Sequence, residues 1–288
     1  MQRGSTATSA YLFIAPALFI LVLTLLLPAV LTIGMSFTNV TFLRPTRLVG
    51  LQNYITLFND YRFHQAVWNT IVYTVGVTIP TMFLGLLAAV AVNRRFTGRV
   101  AVRTIFYLPA LTSLIACATV WLYLYEPHAG PLNGLLSTLG LPRQLWLQNP
   151  NIALGALMVV SIWRDFGTAM VIYLAGLQDI PEYVYEAARI DDAGSLTIFF
   201  RITIPLLSSV TFYLLIILIV QSFQVFGLIY AMTGGGPLNA TSTIVFQMYQ
   251  TAFGFTRFGY ASAMSTVLFF TILLFSLIGA WVARKLRV

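Results

Sequence analysis

Cysteine, histidine, lysine and acidic side chains are all scarce in this chain. One cysteine, Cys117, and two histidines, His64 and His128, stand among 288 residues. A disulfide within the chain needs two cysteines, and an ordinary zinc centre needs three or four protein ligands, so neither disulfide nor metal chemistry is expected. The single lysine, Lys285, follows Ala283-Arg284 where a glycine is required, so the phosphate loop GxxxxGK[ST] is missing. The chain does not bind ATP by that means. No nucleophile, base and orienting group can be assembled from motifs, and no catalytic or cofactor-binding residue is assigned.

Charge is the next shortage. Only 8% of residues are charged and 59% are hydrophobic, against roughly 25% charged in a soluble domain. Six apolar runs, Tyr11–Met35, Val67–Val92, Thr104–Tyr125, Ile152–Leu177, Leu206–Met232 and Tyr260–Ala283, each exceed the roughly 18 to 20 residues that cross a bilayer as helix. An all-α integral membrane protein with six transmembrane helices is expected. The first run is too long for a signal peptide's apolar region, about 7 to 15 residues, and reads as a retained helix.

Arginine and lysine set orientation, because short cytoplasmic loops retain them. Arg3, Arg94, Arg95, Arg99, Arg103, Arg189, Arg201, Arg284, Lys285 and Arg287 fall on one side. Arg44, Arg47, Arg62, Arg143 and Arg257 fall on the other, and Arg164 lies within a span. Both termini are therefore expected in the cytoplasm of a multi-pass protein. The net charge of +8 fits anionic lipid headgroups and gives no reason to invoke nucleic acid. No internal repeat is visible. Residues 1–66 read as a transmembrane helix plus an external segment, and 67–288 as a five-helix core.

Five of the eight acidic residues, Asp179, Glu182, Glu186, Asp191 and Asp192, sit within fourteen positions between spans four and five. The stretch at about 178–205 reads as two short helices. Asp179 is placed to cap the first, with Pro181 in its first turn and Glu182 completing a capping box. Gly194 is placed to break it and Ser195 to cap the second. The first helix is amphipathic, with Glu182, Glu186 and Arg189 on one face and Tyr183, Val184, Ala187, Ala188 and Ile190 at helical spacing. Interfacial helices favour basic polar faces; an acidic one points equally to a protein partner.

From Glu186 to Pro205, "EAARIDDAGSLTIFFRITIP" resembles the EAA loop of permease subunits of binding-protein-dependent ABC importers. Glu186, Ala187, Ala188, Asp191, Ala193, Ile202 and Pro205 match the family pattern. "GLQDIP", "FYLPAL" and "VFGLIYAMTGGGPLNATSTIVFQMYQTAF" resemble its carbohydrate-uptake branch. The resemblance implies a type I importer permease whose loop between helices four and five is a coupling helix seated in a cytoplasmic ATPase dimer. Glu186, Ala187, Ala188, Asp191, Ala193 and Gly194 become the coupling residues. It also implies a second homologous permease, an extracytoplasmic solute-binding protein, ATP and magnesium held by the partner ATPase, and a bacterial or archaeal cytoplasmic membrane. Two departures stand out: Asp192 replaces the family's loop glycine, implying a turn displaced to Gly194, and Gly227 stands where many sugar permeases have aspartate.

Polar residues within spans are the candidate substrate path. Arg164 and Asp165 sit near mid-membrane, where a charge costs several kcal/mol unless paired or hydrated. Being about 100° apart on a helix, they need not pair with each other. Gly167 is expected to loosen the helix beside them. Tyr213, Gln221 and Gln224 share a helical face and suit a polyhydroxylated solute, although amides also bond across helices for about 0.6 to 2 kcal/mol. Trp68, Trp121 and Trp146 read as interfacial anchors. The leading function is ATP-driven import of a sugar or sugar-like solute. The alternatives are a glycerol-phosphate cargo on the same machinery and, from another class, a proton-coupled carrier, which the missing repeated half disfavours.

Overall fold

A computed structural model describes residues 13–41, 45–94 and 96–285, without the side chains at 280 and 282–285. Tyr11, Leu12, Arg3, Arg44, Arg95 and Arg287, and the side chains of Arg284 and Lys285, used above for span and orientation, lie outside the described part. The described residues are helical, apart from turns, loops and one isolated antiparallel bridge between Thr38 and Leu48.

Among the described residues, four helices are long and apolar enough to cross a membrane: α1 (Phe13–Met35), α3 (Tyr61–Asn93), α7 (Ala153–Gln178) and α13, whose Phe258–Gly279 portion carries the apolar run. Two further spans are broken. Helices α4 (Arg99–Leu111) and α5 (Leu114–Leu124) meet at 97°, and α9 (Ser195–Leu206) and α10 (Ser208–Phe223) at 63°. Each bent pair counted as one span gives the six expected. The third and fifth runs are thus not the uninterrupted helices that hydropathy suggests. Thr112 and Ser113 take extended backbone (ψ 143 and 134), which turns the chain by 97° between α4 and α5. The fifth ends at Phe223, and Gly227–Met232 forms a separate helix, α11. The remaining short helices are α2 (Gln52–Phe58), α6 (Pro131–Thr138), α8 (Glu182–Ile190) and α12 (Ile244–Tyr249). α13 itself runs Phe258–Lys285.

The chain divides into two compact units. One joins the residues up to Asp60 with Met248–Phe270; the other joins Tyr61–Gln247 with the residues from Thr271 onward. In the first unit, α1 carries a π turn at Val22–Leu26. Pro28 has no N–H for the Thr24 carbonyl, which is the ordinary reason for such an irregularity. α1 exposes apolar side chains along its length and buries none of its span. Asn53 ties the segment after it together by donating to the Ser36 and Thr38 carbonyls at 2.7 and 2.8 Å. Gly259 lies directly on Thr38, where a Cβ would come within 2.0 Å of the carbonyl oxygen. The Tyr260 hydroxyl donates to Asp60 at 2.7 Å while Arg257 covers its ring.

In the second unit, α3 and α7 form the main helix pair. Small residues let them approach: a Cβ on Gly85 would meet Ala169 Cβ at 2.5 Å, and one on Gly76 would meet Met158 Sδ at 2.5 Å. This is the usual membrane solution, since lipid tails give no hydrophobic drive to helix pairing. Near one end, Tyr73, Tyr125, Leu157 and Ile229 centre a core cluster; near the other, Ala89, Met170, Tyr173 and Leu207 centre a second. Trp121 and Trp146 are partly buried against the first cluster with their rings tilted on Tyr125, whereas Trp68 is exposed.

The loops at that end are fixed by buried asparagines. Asn69 donates to the carbonyls of Asn239 and Ser242 at 3.0 and 2.9 Å, anchoring the Gly-rich loop to α3. That loop uses left-handed backbone at Gly234, Gly235, Leu238 and Asn239. Asn133 bonds to Pro127, Gln144 and Trp146, and so satisfies its amide completely inside the 126–146 loop. Beside it, N–H groups of Ala129 and then His128 hold the Glu126 carboxyl below the usual carboxylate range.

Candidate functional site

Two places in the second unit collect the sequence-predicted residues. The first is a cavity of about 310 Å³ beside the middle of α7. Arg164 and Asp165 of α7, Gln221 of α10 and Gln224 just past its end all line it. Their convergence follows from the breaks in the fold. α10 stops at Phe223, so Gln224 and the following loop turn toward α7, and Leu114 enters because α5 starts anew at the 97° bend. The fifth predicted residue does not belong: Tyr213 is 58% exposed elsewhere on α10 and is absent from the lining. A shared face at 213, 221 and 224 is a statement about one helix axis, and the cavity lies only at its end.

Arg164 and Asp165 do pair. The Arg164 Nε donates to Asp165 Oδ1 at 2.9 Å, with side-chain exposures of 31% and 20%. Adjacency does not require this pairing, but the arginine side chain is long enough to fold back across the 100° step. Pairing removes most of the cost of placing either charge at this depth. Nor does Gly167 loosen α7, which runs unbroken from Ala153 to Gln178. A Cβ at Gly167 would come within 2.1 Å of the Phe106 carbonyl oxygen, so the glycine lets α4 lie against α7. Hydroxyls complete the lining: Ser161, which is bonded to Tyr73, and Ser222. Small hydroxyl residues carry no charge cost, and nothing in the sequence distinguishes them from ordinary packing.

The second place is the loop between α7 and α10. Helix α8 begins at Glu182 with Pro181 at its cap position and no side-chain cap. Asp179 instead closes the preceding helix, its N–H bonding to Ala175 O at 3.1 Å. The predicted capping box is therefore not formed, because the chain needs those residues to end α7. Gly194 occupies the cap of α9 in extended conformation, and Ser195 is already inside that helix.

The turn itself overturns the displaced-glycine expectation. Asp192 has φ 53, in the left-handed region, while Gly194 has φ −65. The Asp192 N–H bonds to Arg189 O at 3.1 Å and the Ala193 N–H to Ala188 O at 2.9 Å, the paired bonds of a Schellman ending. Asp192 thus performs the glycine's conformational task at the matching position, since short polar side chains tolerate left-handed backbone better than most.

Side chains in α8 sort by face. Glu186 and Ala187 are exposed, whereas Ala188 is buried at 6%. The two alanines therefore act separately, Ala188 packing inward and Ala187 leaving the outer backbone open to close approach. Asp191 and Gly194 are exposed and Ala193 is half-buried. Tyr183 and Ile190 of α8 and Leu196 and Phe200 of α9 leave apolar side chains uncovered, with exposures of 61% to 83%. Among the described residues no metal-binding cluster of His, Cys, Asp or Glu occurs.

Residues 81–288 match the family described as binding-protein-dependent transport system inner membrane component. The chain is 34% identical, over 283 residues, to the trehalose/maltose transport system permease protein MalF of Thermococcus litoralis, covering 98% of this chain and 95% of that protein. It is 32% identical, over 282 residues, to the sn-glycerol-3-phosphate transport system permease protein UgpA of Escherichia coli strain UTI89, covering 96% and 95%. Its fold matches a chain in the crystal structure of a bacterial alginate ABC transporter in complex with an alginate pentasaccharide-bound periplasmic protein, with TM-score 0.87, 24% identity and coverage of 98% and 96%. The helical architecture with its broken spans, the Glu186–Pro205 loop and the match over residues 81–288 agree, and the chain belongs to the family of binding-protein-dependent transport system inner membrane components.

Proposed function

We propose that this chain forms one half of the translocation path for a neutral, polyhydroxylated solute of the carbohydrate class, and that α8 transmits ATPase closure to the membrane helices. The observation that carries the cargo reading is the Arg164–Asp165 pair in a cavity shared with Gln221 and Gln224. The carboxylate offsets the guanidinium, so the lining is close to neutral overall while rich in donors and acceptors. Two amides, two serine hydroxyls and the remaining guanidinium N–H groups offer sugar hydroxyls hydrogen bonds without attracting a net charge. That MalF of Thermococcus litoralis serves trehalose and maltose supports this reading.

A glycerol-phosphate cargo is the second reading. UgpA of Escherichia coli favours it, and so does Arg164, whose guanidinium would hold a phosphate if Asp165 released it. On either cargo, the loop reading rests on exposed Glu186 and Ala187 amid exposed apolar side chains, which suit a protein groove better than water. The partners are a cytoplasmic ATPase dimer that binds ATP and magnesium, a second homologous permease and an extracytoplasmic solute-binding protein. Both termini face the cytoplasm.

Cysteine protection tests the path. With buried Cys117 replaced by alanine, Gln221→Cys in the assembled transporter is expected to react with a hydrophilic thiol reagent. A transported neutral sugar, supplied with its binding protein and ATP, is expected to slow that labelling. Protection by glycerol phosphate alone would select the second reading. Labelling unaffected by any transported solute would remove the cavity from the path.

A further inference from the structure

A second cavity, of about 550 Å³, opens at the opposite end of α3, beneath the loop that carries α8 and α9. Its composition is divided. Leu87, Val90 and Phe199, from α3 and α9, give it an apolar lining, and Asn93, Arg94, Arg189 and Ser195 a polar one. Neither Arg94 nor Arg189 has an acidic side chain within ion-pair distance among the described residues, and no acidic residue lines the cavity. A third guanidinium stands at the same helix end: Arg103 Nη2 donates to the Val92 carbonyl at 2.8 Å, and its buried Nε has no hydrogen-bond partner. The C-terminal end of α3 thus gathers three guanidiniums, none of them in an ion pair among the described residues, beside an apolar lining.

We propose that this cavity binds one anionic glycerophospholipid, with the phosphate held at Arg94, Arg189 and Ser195 and an acyl chain along Leu87, Val90 and Phe199. The proposal is independent of the cargo reading. A phosphodiester matches the forked donors of two guanidiniums, and only a molecule that is anionic at one end and apolar along its length satisfies both parts of the lining. A free phosphate would leave the apolar slot unfilled, and a zwitterionic lipid would bring its own cation to the arginines. Leu87 also lies on a helix that crosses the membrane, so an acyl chain reaches the slot from the bilayer without entering water. Because Tyr185 and Arg189 belong to α8, Asn93 ends α3 and Arg94 follows it directly, a bound lipid would brace the loop against the end of that span.

Native mass spectrometry of the full-length chain, delipidated and then given phosphatidylglycerol or phosphatidylcholine of the same acyl composition, reads the preference. Retention of one phosphatidylglycerol with about tenfold preference is expected, falling to near parity in Arg94→Gln/Arg189→Gln. Arg47→Gln/Arg143→Gln, which removes the same charge elsewhere, is expected to keep the preference. Phosphatidylglycerol bearing a photoreactive acyl group is expected to label the wild-type chain within residues 87–94 and 195–203, a result that needs no variant to fold. Equal retention of the two lipids, labelling confined to other helices, or displacement of the lipid by inorganic phosphate alone would overturn the proposal.

Discussion

At the cavity beside α7, Arg164 is neutralised by its own neighbour at 2.9 Å and shares the space with amides and hydroxyls. In the loop that follows the same helix, Glu182, Glu186, Asp191 and Asp192 stand exposed, and none makes an ion pair among the described residues. The contrast separates two uses of rare charge in an apolar chain. Charge inside a span must be balanced before the solute arrives, because an unbalanced ion there costs several kcal/mol. Charge at the membrane surface can stay unbalanced, because water screens it until a partner supplies the complement.

Reversing a loop charge is expected to have the largest effect. Glu186→Lys leaves insertion intact but lowers copurification of the ATPase at least about tenfold, equivalent to about 1.4 kcal/mol, and transport falls with it. Pull-down and vesicle uptake read the two losses. Normal values in both would remove the loop from coupling and break the contrast at its surface end.

Next comes backbone contact, where two glycines of the same unit part company. Gly167→Ala would drive a Cβ into the Phe106 carbonyl, whereas Gly194 has open space around its Cβ direction. Gly167→Ala is expected to destabilise by about 1 to 3 kcal/mol and to lower the thermal midpoint of the purified protein; Gly194→Ala is expected to leave that midpoint unchanged. Equal effects would contradict the close α4–α7 approach.

Smaller still is the effect of unbalancing the pair. Arg164→Ala leaves Asp165 unpaired in a partly hydrated cavity, and uptake is expected to fall while the complex remains assembled. Removing both, Arg164→Ala/Asp165→Ala, is expected to recover part of the stability lost in the single variant, as thermal unfolding would register. A double variant less stable than the single one would show that the two charges serve separate partners. The smallest effect belongs to Asp192→Gly, because Asp192 already holds left-handed backbone. Relief of strain and loss of unfolded-state restriction oppose each other, leaving a change within about 1 kcal/mol.

The six spans were legible because hydropathy reports burial in lipid, and four of them are continuous helices. The breaks at Thr112–Ser113 and Leu207 were not, since an apolar run carries no record of backbone direction. The first break brings Leu114 to the cavity beside α7, and the end of α10 at Phe223 brings Gln224 there. In the cavity, Arg164, Asp165, Gln221 and Gln224 were findable from the cost of polar groups in a membrane. Ser161 and Ser222 were not, and Tyr213 was drawn in by helical spacing beyond its reach. In the loop, the family pattern located the turn, but counting glycines misplaced it. The left-handed residue is Asp192, a conformation that its short side chain permits and its identity does not announce.

One measurement sets the two regions directly against each other: ATP hydrolysis and solute uptake recorded together in vesicles for Glu186→Lys and Arg164→Ala, with ATPase, partner permease and binding protein supplied. Glu186→Lys is expected to lose ATPase retention, and with it solute-stimulated hydrolysis and uptake. Arg164→Ala is expected to retain the ATPase and its basal hydrolysis while uptake drops about threefold, a change of about 0.6 kcal/mol. If the two variants lost the same activities in the same proportion, the division between a balanced solute path and an unbalanced coupling surface would be wrong.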